Sequence, residues 1–233
     1  RLYYCSAQVG HLIPPGTPAS LVAMQLMFRY DSIYYDLKSV SFDPKTRTFS
    51  NPRTEVEASA HERSITLPRV SPDGRYVLYT QGKYGQFHIW HKSSDLWVKD
   101  LQTDNCYNLY QANSPDTESF HSWSSNGRWI AFSSRRLDGN YTRIFLTYFD
   151  QKGQAHKAFP IPQEDPEYNT LLLKSYNVPE LTKDAVRISL PDLNHCVRGR
   201  EQERANTRRH LQRAFAERGR GKKRIHTKTS LIR

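Results

Sequence analysis

The sequence has few cysteines, and they are scattered. Only Cys5, Cys106 and Cys196 occur in 233 residues, and no two of them form a CxxC pair. An odd, widely spaced set excludes a disulfide framework, a zinc ribbon and a covalent haem site. The chain also has no apolar run near the roughly 18 residues that a membrane span requires. We interpret its longest apolar run, residues 21–28, as part of a buried strand over residues 21–30.

The chain lacks the GxSxG turn that carries the nucleophile of an α/β-hydrolase. Once the repeats described below are placed, too few residues remain to build a hydrolase domain. The first residue is Arg1 rather than Met, which favours a truncated start, so the absence of a signal peptide is uninformative. We expect no cofactor, and catalysis is the less favoured hypothesis.

Net positive charge is nearly zero over most of the chain and is concentrated at its end. Residues 181–233 hold 15 Lys and Arg against 5 Asp and Glu, whereas residues 1–180 hold 19 against 18. The basic extension has no aromatic platform beyond Phe215 and no recognisable nucleic-acid-binding module, so nucleic acid is an unlikely partner. Good helix formers at 201–218 predict a helix there. A native extension and a frame-shifted sequence both remain open.

A turn signature followed by an apolar strand occurs twice. Ser71-Pro-Asp-Gly74 precedes the run at 76–79, and the same layout returns with Trp123 placed 53 positions after Val70. Asp73 and Asn126 cap the turns, while Gly74 and Gly127 supply the positive φ that closes them. A period of about fifty residues is that of one four-stranded propeller blade.

The remaining segments extend this pattern. Strands are expected at 87–90, 95–101, 106–110, 142–149 and 155–159, and an earlier unit shows a strand at 32–42 and a turn at 43–46. The sequence therefore predicts an all-β fold, a partial propeller of about three blades, with an irregular basic C-terminal extension. We place blades at about 18–60, 64–111 and 117–160, a closing segment up to 180, and a separate tail at 181–233. We also expect a strand at Leu2–Cys5, a short helical turn at 168–174 and one more strand at 186–190.

Part of this sequence resembles a known family. Ser71-Pro-Asp-Gly-Arg-Tyr76 is similar to the signature of TolB-like β-propeller repeats, and the stretches 87–96, 121–129, 133–136 and 174–180 are similar to a Bacteroidetes-type group of these proteins. The resemblance covers roughly residues 20 to 180. It implies an exported propeller of the periplasm or cell envelope without established catalysis, and it implies no particular ligand. The remaining blades of the parent propeller would be absent from this chain.

Three histidines form the candidate metal site. His88, His91 and His121 would suit Mn or Zn if they converged, because imidazole is the commonest side-chain ligand of transition metals. That convergence would favour a metal-dependent polysaccharide lyase or hydrolase. The favoured interpretation is structural. Strand alternation separates His88 from His91, and the position of His121 suits a hydrogen bond that ties blades together.

Four residues form the candidate ligand site. Arg135 and Arg136 follow a strand and precede a loop, where propellers present groups to a ligand, and Tyr141 and Arg143 would add a stacking platform and a second charge. Guanidinium groups bind carboxylates bidentately. The favoured interpretation of these residues is nevertheless structural, an ion pair with Asp138 or with a neighbouring blade. The sequence therefore favours a non-catalytic scaffold that binds a protein, peptide or glycan.

Overall fold

The computed structural model describes residues 1–185 and 187–198 and divides the chain into two compact units, Arg1–Asp184 and Ala185–Arg233. The first unit is mostly β, with antiparallel sheets of two to four strands. Of the second unit, the structure describes the helix α3, Leu190–Arg198. Residues 187–189 are not a strand, so the strand predicted at 186–190 is wrong there, and Val186 lies outside the described residues. The helix predicted at 201–218 also lies outside them.

The two clear sequence repeats form two four-stranded sheets. The second sheet has the order β6 Ser64–Val70, β7 Tyr76–Gly82, β8 Asp95–Asp100 and β9 Cys106–Asn108. The third sheet has the order β10 Glu118–Trp123, β11 Trp129–Ser134, β12 Arg143–Tyr148 and β13 Phe159–Pro160. In each of these two sheets the first strand precedes the turn signature. The strand that follows the turn is therefore the second strand of its sheet.

Two local predictions within these sheets are wrong. The segment expected as a strand at 87–90 is a 3₁₀ turn, His88–Trp90, entered through Phe87 at a φ of +52°. The strand expected at 155–159 is reduced to the two residues of β13 and an isolated bridge between Phe149 and Ala155. The left-handed backbone at Phe87 leads directly into the 3₁₀ turn, which prevents an extended strand at the histidines.

The first sheet contains three strands, in the order β1 Leu2–Ser6, β2 Asp36–Val40 and β5 Arg53–Val56. A small hairpin of β3 Phe42–Asp43 and β4 Thr48–Phe49 separates β2 from β5. The strand predicted at Leu2–Cys5 is confirmed, whereas the strand predicted at 21–30 is wrong. Most of that segment lies in the helix α1, Ala19–Phe28, none of whose residues is buried. It has no charged residue and is rich in Ala, Leu, Met and Gln, which are strong helix formers.

The second sheet packs against both neighbouring sheets, because alternate side chains of its strands point to opposite faces. Val77 and Tyr79 face the first sheet, in a cluster with Leu37, Ala58 and Ile65. Tyr76 and Leu78 face the third sheet, in a larger cluster that includes Ile130 and Phe132. The first strands of the three sheets are neighbours, since β6 contacts both β1 and β10.

The two signature turns have the same hydrogen bonds. Asp73 Oδ1 accepts from the Arg75 N–H at 3.1 Å, and Asn126 Oδ1 accepts from the Arg128 N–H at 3.0 Å. Gly74 has a φ of +74° and Gly127 a φ of +66°, in the positive region on which the turn prediction rests. The third sheet is followed by a short helix, α2 Tyr168–Leu171, within the predicted helical segment. No helix among the described residues is both long and apolar enough to span a bilayer.

Candidate functional site

A cavity lies where the first strands of the three sheets meet. This inner-strand cavity has a volume of about 410 Å³, within the range of ligand pockets. Apolar groups and a few polar side chains line it: Cys5, Thr66, Leu67, Pro68, Gln86, Phe87, His88, Ser119 and Phe120. Strand β1, strand β6, the turn before His88 and strand β10 therefore all contribute to one pocket.

Backbone irregularities recur at this cavity. The register of β6 against β7 shifts between Thr66 and Arg69, and that of β10 against β11 shifts between Ser119 and Ser122. Leu67 and Phe120 lie within these bulges with φ of +55° and +48°. Phe87, also on the cavity wall, has a φ of +52°. Left-handed non-glycine residues cost on the order of 1–3 kcal/mol each and cluster at binding sites. Three on one cavity wall mark it as the candidate site.

Buried hydroxyl and thiol groups supply the polar part of the cavity wall. The Ser119 Oγ is buried and has no hydrogen-bond partner among the described residues. The Thr66 Oγ1 pairs with His88 Nδ1 at 3.0 Å. Burial, with a smaller contribution from Asp36, raises the pKa of Cys5 to about 12, so its thiol stays protonated at neutral pH. The cavity is therefore mostly apolar, and the Ser119 hydroxyl lies buried behind its wall as an unpartnered polar group.

The three candidate histidines are not brought to one point. His88 and His91 have ring centroids 5.5 Å apart, but His121 is bonded elsewhere, between the second and third sheets. Its Nε2 donates to the Leu67 carbonyl at 2.7 Å and its Nδ1 accepts from Thr80 Oγ1 at 3.3 Å. Within residues 1–185 and 187–198, no group of three His, Cys, Asp or Glu is placed to hold a metal ion.

Both buried histidines are neutral at pH 7. Burial lowers the pKa of His121 to about 4, and burial together with His91 lowers that of His88 to about 4. Trp123, two residues after His121 on β10, donates its indole N–H to the Arg69 carbonyl at 3.1 Å. Two side chains of β10 thus donate to alternate carbonyls of β6. His121 links the second and third sheets by hydrogen bonds, which is the structural role that the sequence favoured.

Arg136 and Arg143, two of the four candidate ligand residues, have intramolecular partners. Arg136 Nη2 lies 2.8 Å from Glu118 Oε1, and that carboxylate is completely buried. Burial raises the pKa of Glu118 to about 7, opposed by Arg136 and by hydrogen bonds from Ser114 and Ser134. Arg136 also donates to the Ala112 carbonyl at 2.6 Å. Its guanidinium therefore neutralises a buried carboxylate rather than facing a ligand.

Arg143 holds the segment that follows the third sheet. Its side chain is 1% exposed. It donates to the carbonyls of Asn169 at 2.8 Å, Leu172 at 2.7 Å and Lys174 at 2.6 Å. Its ion pair with Asp138 is longer, at 3.8 Å. Since backbone carbonyls accept most of its donors, Arg143 is a structural clasp, and this corrects the ligand-facing role considered from the sequence.

The other two candidate ligand residues, Tyr141 and Arg135, each form a contact between an aromatic ring and a guanidinium group. Tyr141 stacks on the Arg143 guanidinium, 5.4 Å from the ring centroid, and so belongs to the clasp. Arg135 lies against the exposed Trp90, with its guanidinium carbon 4.8 Å from that ring centroid. Its Nε has no partner among the described residues. Arg135 Nη2 donates to the Gly139 carbonyl, so this guanidinium also has an intramolecular partner, and its unpaired Nε is buried.

Sequence reasoning missed the residues that build the cavity. Leu67 and Phe120 are separated by the same 53 positions as Val70 and Trp123. Extending the repeat upstream of the turn would have aligned Leu67 with Phe120 and Thr66 with Ser119. The signal was therefore present, although the bulge itself depends on pairing between strands.

Comparisons with known proteins add little to this description. No protein-family model matches the chain, and no curated protein matches it. Among solved structures, the crystal structure of the tricorn protease aligns with 57% of this chain and 11% of its own, at 15% identity and a TM-score of 0.35. The chain thus spans about a ninth of that structure's length. A likeness this weak supports no conclusion about the fold of this chain, which is defined by its own antiparallel sheets.

Proposed function

We propose that this chain is an arc of a TolB-like β-propeller, a non-catalytic scaffold that binds a peptide segment in its inner-strand cavity. Three sheets with adjacent first strands and meander order are the arrangement of successive blades. The Ser71–Tyr76 signature supports the TolB-like assignment. The same resemblance is the support for a location in the bacterial cell envelope, which fractionation of the native host would test.

The segment after the third sheet supports the propeller assignment. Thr80 on β7 bonds His121 of the next sheet, and Ser133, its counterpart 53 positions later on β11, donates to the Tyr176 carbonyl at 3.0 Å. Ser122 Oγ of β10 donates to the Pro179 carbonyl at 2.6 Å. Residues 172–180 thus lie on the third sheet much as β10 lies on the second, in the position of a fourth inner strand.

The inner-strand cavity is the observation that carries the binding function. Its wall combines exposed and half-buried phenyl rings, the aliphatic Leu67 and Pro68, and the unpartnered Ser119 hydroxyl. At each bulge one extra residue is not paired with the neighbouring strand, so its backbone groups do not form regular hydrogen bonds within the sheet. An apolar peptide side chain fits such a wall, and the neighbouring peptide groups can bond Ser119 and the bulge backbone.

Selection of a random peptide library on the purified chain tests this function. The best peptide is then measured by fluorescence anisotropy against two variants. Phe87 is 71% exposed at the cavity, so Phe87→Ala should weaken binding at least about tenfold. Phe42→Ala removes an exposed phenyl from the β3–β4 hairpin and should leave affinity unchanged. Failure to select a peptide, or equal loss in both variants, would reject the peptide-binding function.

A further inference from the structure

A second opening lies between the first and second sheets and has a different origin. Among the described residues the first sheet has three strands, whereas the second has four. After β5 the chain enters the 3₁₀ turn Ser59–His61 instead of a fourth strand. Part of the second sheet's face is left uncovered, and a cleft of about 520 Å³ results. This three-strand cleft is lined by Val56, Glu57, Ala58, His61, Arg63, Tyr79, Gln81, Trp97 and Cys106.

One wall of the cleft is aromatic. Tyr79 and Trp97 are paired across β7 and β8 and so share the face toward the first sheet. Trp97 is half-buried and packs on the Leu37–Tyr79 cluster, which fixes its indole in place. The Tyr79 hydroxyl is buried and has no nitrogen or oxygen partner among the described residues. It lies close to the Cys106 thiol, a weak hydrogen-bonding group.

The other wall carries polar groups of both signs. Glu57, His61 and Arg63 are exposed side chains from the segment that replaces the fourth strand. Their charges nearly cancel at neutral pH, since one carboxylate faces one guanidinium and an imidazole. Gln81 adds an amide that can both donate and accept. A site for an anion or a cation would show an excess of one sign, and this cleft does not.

An added β-strand does not suit the cleft. The amine of Lys99 is buried, donates to the Glu55 carbonyl of β5 at 3.0 Å and pairs with Asp104 at 2.6 Å. Lys99, from β8, thus already uses a carbonyl of β5, and an added strand would have to displace its buried amine. The occupant must therefore be a compact ligand that uses side chains rather than the backbone of β5.

We propose that the three-strand cleft binds a neutral pyranose unit of a saccharide. A pyranose has an apolar C–H face that packs on an indole, and equatorial hydroxyls that both donate and accept hydrogen bonds. Trp97 supplies the flat wall, and Gln81, Glu57, His61 and Arg63 surround it with matching polar groups. The Tyr79 hydroxyl exchanges its weak partner, the Cys106 thiol, for a sugar hydroxyl, which is a stronger hydrogen-bonding group. This site is separate from the inner-strand cavity, so either can fail without the other.

Titration calorimetry with the full chain tests the inference. The probes are cellobiose, maltose, xylobiose and chitobiose, with digalacturonate as the acidic comparison, each up to about 10 mM. At least one neutral disaccharide should bind, and Trp97→Ala should weaken it at least about tenfold. Trp129→Ala, which removes a partly exposed indole from the third sheet, should leave affinity unchanged. No neutral binding, binding of digalacturonate alone, or loss in both variants would overturn the proposal.

The variant Tyr79→Phe provides a second test of saccharide binding, and it does not truncate a large side chain. It removes only a buried hydroxyl whose partner is the weak Cys106 thiol, so the melting temperature of the free protein should change little. Saccharide affinity should nevertheless fall about fivefold or more, as expected for a lost hydrogen bond. Unchanged affinity would show that the hydroxyl does not contact the sugar and would contradict the proposed geometry. Peptide binding at the inner-strand cavity should be unaffected by both Trp97→Ala and Tyr79→Phe.

Discussion

His121 ties the second sheet to the third, and its replacement by Leu should destabilise the first unit strongly. The side chain is 3% exposed, so the substituent must occupy a buried site. His121→Leu removes the 2.7 Å bond to the Leu67 carbonyl and leaves the buried Thr80 hydroxyl unpaired. A lost hydrogen bond costs about 0.5–1.5 kcal/mol and a buried orphan about 1–3 kcal/mol. The expected loss is therefore about 2–4 kcal/mol.

Urea denaturation followed by circular dichroism measures this loss. The matched control is His156→Leu, because His156 is an exposed histidine after β12 whose replacement should change stability by less than about 0.5 kcal/mol. Adding Thr80→Val to His121→Leu removes the orphan hydroxyl and should recover part of the loss, so the two changes should be non-additive. If His121→Leu is no more destabilising than His156→Leu, the proposed tie between the sheets is refuted.

The same residue sets a pH dependence whose sign follows from its environment. The native pKa of His121 is lowered to about 4 by burial, against an ordinary value of 6.5. The unfolded chain therefore binds the proton first as pH falls, and stability should decrease between pH 6.5 and pH 4. A difference of this size corresponds to about 3 kcal/mol. His121→Leu should show a shallower decrease over that window, and an unchanged slope would contradict the assignment.

Three further predictions follow from the turns and the arginine contacts. Gly74→Val and Gly127→Val should each cost about 1–3 kcal/mol, because β-branched residues are strained at positive φ; wild-type melting temperatures would contradict this. Arg136→Met should cost about 1–3 kcal/mol, because Glu118 loses its cation partner and protonates while keeping its bonds from Ser114 and Ser134. Chemical denaturation measures this loss, and a loss below about 0.5 kcal/mol would show that the pair is dispensable. Arg143→Met should free the segment that it clasps, so limited trypsin digestion after Lys174 should accelerate while the third sheet stays intact. An unchanged cleavage rate would indicate that other contacts hold the segment.

The parts of the fold that the sequence predicted are those fixed by local chemistry. The Ser71 and Ser124 turns depend on neighbouring residues, and the strands that follow them are short apolar runs next to those turns. The helix at 19–28 was missed because an uncharged apolar run without clear periodicity does not distinguish a strand from a helix. Phe87 was expected in a strand, and its left-handed conformation depends on contacts with residues distant in sequence.

The candidate site was less predictable because it depends on pairing between strands. Nothing in the residue types of Leu67 or Phe120 indicates a positive φ, and only the register shift between strands creates the bulges. Arg143 looked suited to a ligand, yet its acceptors are carbonyls 26 to 31 positions later in the chain. Such a clasp follows from tertiary structure and has no sequence signature.

Hydrogen–deuterium exchange with and without the selected peptide tests the central claim most directly. The inner-strand cavity joins three segments that are distant in sequence, around Leu67, Phe87 and Phe120. Peptide binding should therefore slow exchange in all three segments together, while the β3–β4 hairpin stays unchanged and Phe87→Ala abolishes the effect. Protection confined to one of the segments, or found elsewhere in the first unit, would contradict an inner-strand binding site.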